Sequence, residues 1–163
     1  MTSSPDTVDA AVPVERLPGK AALAGGCEIV LACDLIVAAE NARFGLPEVM
    51  RGLIAGAGGV FRLPRAIPPN VALELILTAE PIDARRAWQY GLVNRLARAG
   101  GAVDEALGLA AQITRNAPIA VRESLRVAKR ASTPGEAELR ALSEECRARA
   151  AVARPLKMRR FSR

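Results

Sequence analysis

Two glutamates stand where a carboxylate could do chemistry. Glu28 follows Gly25-Gly26-Cys27 at the start of an apolar run, and Glu48 follows Phe44-Gly45-Leu46-Pro47 in a glycine-rich stretch. Neither sits on a polar face. Apolar surroundings disfavour the ionised form of a carboxyl group, and that suits it to act as a general acid or base near neutral pH. Glycines ahead of a helix leave backbone N–H groups free, and the helix dipole turns their positive end toward whatever binds there, as an oxyanion site requires. A structural role fits the same residues. A first-turn glutamate complements the helix dipole, and a glutamate after proline is ordinary in a loop. On these grounds alone both readings stay open.

The rest of the composition narrows the chemistry. The chain has 163 residues and no histidine. That excludes Ser-His-Asp and Cys-His catalysis, histidine-ligated zinc and any histidine general base. Carboxylates, backbone dipoles or cysteine must carry any reaction, and no metal site is expected. Cys27, Cys33 and Cys146 form no C-x-x-C pair and are odd in number, so they read as reduced, mostly packed thiols of a cytoplasmic protein. Gly56-Ala57-Gly58-Gly59 matches neither G-x-G-x-x-G nor G-x-x-x-x-G-K-[ST], which argues against a phosphate-cradling loop. The N-terminal stretch has no basic n-region or apolar h-region, and no run reaches the ~18 apolar residues of a span, so no membrane association is expected.

Net charge is +6, and its distribution is uneven. Residues 1–100 balance at ten cations and ten anions, while residues 101–163 hold thirteen against seven. Aromatic residues make up only 3%, which leaves few base-stacking platforms, so nucleic acid is not an expected partner. The excess reads mainly as a solvated, arginine-rich helical surface.

These residues must be positioned by short elements. Residues 1–18 have no apolar periodicity and read as a leader. The run Ala21 to Cys33 suits a buried helix of about two turns after Gly25-Gly26, and Leu35 to Ala39 suits a fully buried strand. Phe44 to Arg65 is too rich in glycine to be one regular element. Beyond it, Asn70 is expected to cap a helix through Leu77. Asp83 is expected to cap one over Ala84–Tyr90 that ends at Gly91. Leu92 to Leu96 is a strand candidate, and helices are expected over Val103–Arg115, Ile119–Ala131 and Pro134–Val152.

The run Ala22 to Asp34 (ALAGGCEIVLACD), then Ala42 to Glu48 (ARFGLPE), Gly52 to Gly59 (GLIAGAGG) and Arg62-Leu-Pro-Arg65, closely resembles the enoyl-CoA hydratase/isomerase, or crotonase, family. Leu77-Thr78, Ile82-Asp-Ala, Gly91-Leu-Val-Asn94 and Pro118 to Lys129 continue the resemblance. It implies an α/β fold: a partial crotonase-like spiral β-α core over residues 19–100, followed by a helical C-terminal region over 101–163.

The resemblance also implies roles. Glu28 and Glu48, twenty residues apart, would be the catalytic pair. Glu28 would activate water for attack at Cβ of an α,β-unsaturated acyl-CoA thioester, while Glu48 supplies a proton at Cα. The N–H of Gly25 would be one oxyanion donor. Coenzyme A enters as part of the substrate, with no further cofactor. Retention of both carboxylates favours a hydratase or dehydratase over an isomerase. The family resemblance further implies a homo-oligomer, trimer or hexamer. Upstream of Gly19 nothing matches the family, so the resemblance is to its C-terminal half, without the loop that gives the second oxyanion N–H. A non-catalytic homologue that binds acyl-CoA or an oligomer partner is the alternative expectation.

Overall fold

The structure is a computed structural model that describes residues 21–130. The leader 1–18, Cys146 and the helix expected over Pro134–Val152 lie outside the described residues. The described residues fall into two units, divided between Ala110 and Ala111.

In the first unit, strand β1 (Ala21–Leu23) leads into helix α1 (Gly25–Leu31), followed by strands β2 (Val37–Ala39) and β3 (Arg43–Gly45). A 3₁₀ turn over Pro47–Arg51 precedes helices α2 (Gly59–Ala66) and α3 (Pro69–Thr78). Strand β4 (Ile82–Asp83), helix α4 (Ala84–Gln89) and strand β5 (Arg95–Ala97) follow, and helix α5 (Ala102–Thr114) begins in this unit. β1 and β3 pair in parallel with Leu23 opposite Gly45, and β4 joins β3 antiparallel. β2 and β5 form a separate parallel pair. Helix α6 (Pro118–Arg130) belongs to the second unit and carries an internal Arg126–Glu123 ion pair at 3.1 Å.

The core forms where these short strands meet α1 to α4. Phe44 of β3, Leu46, Leu63 of α2, and Val30 and Cys27 of α1 are among its largest fully buried side chains. All three residues of β2 are buried, as expected of a strand covered on both faces. Residues 21–23, which precede the helix expected after Gly25-Gly26 and carried no assignment, form β1. A three-residue strand has no periodicity to announce it.

Two helix starts show how local chemistry sets the boundaries. Asp83 caps α4 as expected, its Oδ1 accepting from Arg86 N at 2.7 Å. Gly91 follows the C-cap Tyr90 with φ of 83°, the left-handed turn that glycine adopts without steric cost. Asn70, by contrast, does not cap α3. The helix begins one residue earlier, at Pro69 after Pro68, with no side-chain cap. Proline in the first turn lacks an N–H that would otherwise need a partner.

Strand β5 lies further along than Leu92–Leu96. Leu92 and Val93 are buried, and Asn94 is committed to Ile36 instead. Its N–H donates to Ile36 O at 2.8 Å, and its Oδ1 accepts from Ile36 N at 2.8 Å.

Candidate functional site

The two parallel strands β1 and β3 end side by side, and each runs into the segment that carries one glutamate. In α/β sheets, groups at the C-terminal ends of parallel strands are the ones placed to meet a ligand. The chain leaves β1 at Leu23, turns at Ala24 and begins α1 at Gly25, which puts Glu28 in the first turn. It leaves β3 at Gly45 and enters the 3₁₀ turn at Pro47, which puts Glu48 in that first turn.

Ala24 makes the corner between β1 and α1. It has φ of 50° and ψ of −127°, a sparsely populated conformation for a residue with a Cβ. Its N–H donates to Gly45 O at 3.0 Å, which fastens the start of α1 to the end of β3. Gly25 is the first residue of α1, three before Glu28 and so on the same helix face. Among the described residues, a Cβ on Gly25 would meet nothing within 4 Å.

Glu28 is buried, with 7% of its surface exposed. Its Oε1 accepts a hydrogen bond from Gly59 N at 2.9 Å, so the carboxylate faces the N-terminus of α2. A hydrogen bond from a backbone N–H to a carboxylate is charge-assisted and stronger than a neutral one. Gly59 must be glycine for a steric reason. A Cβ there would lie 2.8 Å from Cβ of Ala55 and 2.9 Å from Cδ2 of Leu46.

Glu48 is half-buried, and its Oε2 is fully enclosed with no hydrogen-bond partner among the described residues. A buried carboxylate oxygen left without a donor is costly. Cys27, next to Glu28 in sequence, lies within the influence of both carboxylates. Burial pushes its thiol from 9.0 up to about 12, partly offset by a backbone hydrogen bond with Gly45, and the charges of Glu48 and Glu28 raise it further. Cys27 is therefore a packed thiol that stays neutral at physiological pH. Cys33 is only half-buried.

Cys27 thus feels the charge of both Glu28 and Glu48, and Gly25 lies on the helix that carries Glu28. The residue that sequence reasoning did not assign is Gly59, thirty-one residues beyond its partner. The signal was the glycine pair at a helix start, which also suggested a phosphate loop and was set aside on that count. Among the described residues no group of three or more His, Cys, Asp or Glu could hold a metal ion, and no helix is long and apolar enough to cross a membrane.

A family model described as enoyl-CoA hydratase/isomerase matches residues 12–153. The chain belongs to this family. The match extends on both sides of residues 21 to about 130, where the motifs lie. Among members of the enoyl-CoA hydratase/isomerase family, the chain is 41% identical over 125 residues to a 2,3-dehydroadipyl-CoA hydratase of Escherichia coli, covering 72% of this chain and 49% of that protein. It is 42% identical over 100 residues to a carnitinyl-CoA dehydratase of Citrobacter koseri, covering 61% of this chain and 38% of that protein. The chain spans about half, or less, of the length of these relatives.

Solved structures of the family give the same picture. A crystal structure of enoyl-CoA hydratase from Mycobacterium tuberculosis superposes with a TM-score of 0.75 at 47% identity, over 77% of this chain and 50% of that one. One from Mycobacterium marinum gives a TM-score of 0.79 at 44% identity, over 82% and 55%. The fold is the α/β crotonase fold, present in part, as the resemblance implied.

Proposed function

We propose that the site is that of an enoyl-CoA hydratase-like lyase, which adds water to an α,β-unsaturated acyl-CoA thioester or removes it. The observation that carries this reading is the carboxylate pair: Glu28 fixed through one oxygen by Gly59 N–H, and Glu48 with an enclosed oxygen that lacks a donor. The names of the relatives, a hydratase and a dehydratase of acyl-CoA compounds, support it.

The chemistry follows from these positions. With Oε1 held by Gly59, the other oxygen of Glu28 accepts a proton from water as the water oxygen bonds to Cβ of the substrate. The π electrons move to Cα and the thioester carbonyl, whose oxygen gains charge as an enolate. The N–H of Gly25 donates to that oxygen; losing one such donor typically costs ~10²–10³ in rate. Glu48, in its protonated form, gives a proton to Cα and completes the 3-hydroxyacyl-CoA. One proton leaves water for Glu28 and another reaches Cα from Glu48, so the pair resets by exchange with solvent. General acid–base steps of this kind contribute ~10²–10⁴ each.

The lyase is read as a cytoplasmic enzyme of fatty-acid or related acyl-CoA metabolism that works as a homo-oligomer, trimer or hexamer, without a further cofactor. The alternative reading is a non-catalytic homologue that binds acyl-CoA or an oligomer partner.

Two substrates separate the enzymatic alternatives. The chain is offered crotonyl-CoA and, separately, its β,γ-unsaturated isomer. A hydratase forms the 3-hydroxy product from the first. An isomerase interconverts the two without taking up water. Binding of both with no change in either supports the non-catalytic reading.

A further inference from the structure

Gly59 can hold Glu28 only if the turn before it is fixed, and the side chain of Arg62 hydrogen-bonds to that turn. Arg62, in the first turn of α2, folds back over the helix start and donates from Nη1 to the carbonyl oxygen of Ala57 at 2.7 Å. Its guanidinium lies over the ring of Phe61, with Cζ 5.2 Å from the centroid, a cation–π contact. It also fills the space beside Gly58. A Cβ on Gly58 would collide with Nη1 and lie 2.7 Å from Cζ of Arg62. Gly58 has φ of 117° and is the N-cap of α2, and its carbonyl oxygen accepts from Arg62 N at 2.9 Å. Arg62 therefore grips residues 57 and 58 through both its backbone and its side chain.

We infer that Arg62 is a positioning residue for Glu28: its guanidinium fixes the Ala57–Gly58 turn, and through it the direction in which Gly59 N–H points at the carboxylate. This rests on the reading of Glu28 as the carboxylate that holds water. Arginine suits the task because a planar guanidinium can donate in its plane while stacking on a ring, which a lysine ammonium cannot do equally. Arg65 provides an internal contrast. It lies over the same ring, with Cζ at 5.8 Å, but makes no hydrogen bond to the turn among the described residues.

The test follows the Gly59 amide by NMR through a pH titration of the full chain, so it needs no substrate. In the unaltered protein the amide shift tracks the titration of Glu28, and Glu28→Gln abolishes that response. Arg62→Met keeps an apolar stem against Phe61 but removes the donors. It is expected to lose most of the response and to exchange the Gly59 amide roughly tenfold faster. Arg65→Met, which removes the same charge from the same helix, is expected to change neither. Arg62→Lys should fall between Arg62→Met and the unaltered protein. A full response in Arg62→Met, or an equal loss in Arg65→Met, overturns the inference. Should Arg62→Met fail to fold, Arg62→Lys decides alone: a reduced response supports the inference, and an unreduced one overturns it. A folded chain that fails to hydrate crotonyl-CoA would sink the proposed function and leave this measurement readable.

Discussion

Glu28 and Gly59 are joined across thirty-one residues by a 2.9 Å hydrogen bond from the glycine N–H to Oε1 of the carboxylate. The bond ties the start of α1 to the start of α2, and it restricts a side chain that would otherwise rotate in its pocket. Most of what can be tested follows from how tightly that junction is packed.

Replacing Gly59 should show this packing directly. Gly59→Ala puts a methyl 2.8 Å from Cβ of Ala55 and 2.9 Å from a methyl of Leu46. Overpacking of this kind costs about 1–3 kcal/mol, so the unfolding free energy from urea titration should fall by that amount. Adding Ala55→Gly removes the nearest atom and should recover part of the loss. A coupling of more than about 0.5 kcal/mol between the two substitutions is the expected outcome.

The corner at Ala24 makes an opposite prediction. Its φ of 50° and ψ of −127° strain any residue with a side chain, at about 1–3 kcal/mol. Ala24→Gly relieves that strain against an entropic cost of about 0.4–1 kcal/mol in the unfolded chain. Unfolding of Ala24→Gly should therefore occur at the same or higher temperature. Ala24→Val should be clearly less stable, because a β-branched residue fits positive φ worst.

Cys27 should impose an alkaline limit. Its thiol stands at about 12 in the folded chain against an ordinary 9.0. Above pH 9 the unfolded chain releases that proton while the folded chain keeps it, so the folded state binds more protons and stability falls as pH rises. The contribution is intact below about pH 9 and is lost progressively toward pH 12. Urea midpoints measured from pH 8 to 11 should decline in the unaltered protein, and the decline should be shallower in Cys27→Val. At neutral pH an alkylating reagent should label Cys33 well before Cys27.

The cap of α4 offers a control remote from the carboxylate pair. Asp83→Ala removes the acceptor for Arg86 N and should cost about 0.5–2 kcal/mol in stability. Asp83→Asn should retain most of it. Neither change touches the residues around Glu28, so the pH response of the Gly59 amide should be unaltered in both.

What the sequence disclosed follows from how local each signal is. Asp83 and Gly91 bracket α4 because capping and the left-handed turn are decided within a few residues. Glu28 and Glu48 stood out because charged residues rarely sit in apolar surroundings without a task. β1 was hidden because three small apolar residues are too few to show a period. The start of α3 was misplaced because Asn70 is a good cap, yet the Pro68-Pro69 pair had already set the helix in motion. The Gly59 contact to Glu28 is a tertiary fact, and no periodicity between the two residues predicts it. Only the glycine pair at the start of α2 marked the position.

The central claim is that Glu28 and Glu48 form one acid–base pair acting on an acyl-CoA thioester. The most direct measurement is the rate of crotonyl-CoA hydration by the chain, alone and with Glu28→Gln, Glu48→Gln or both. Turnover should fall about 10²–10⁴-fold in each single variant. The double variant should be little worse than either single one, as expected of groups that act together. A well-folded chain that does not hydrate crotonyl-CoA, or one whose rate survives Glu48→Gln, would contradict it.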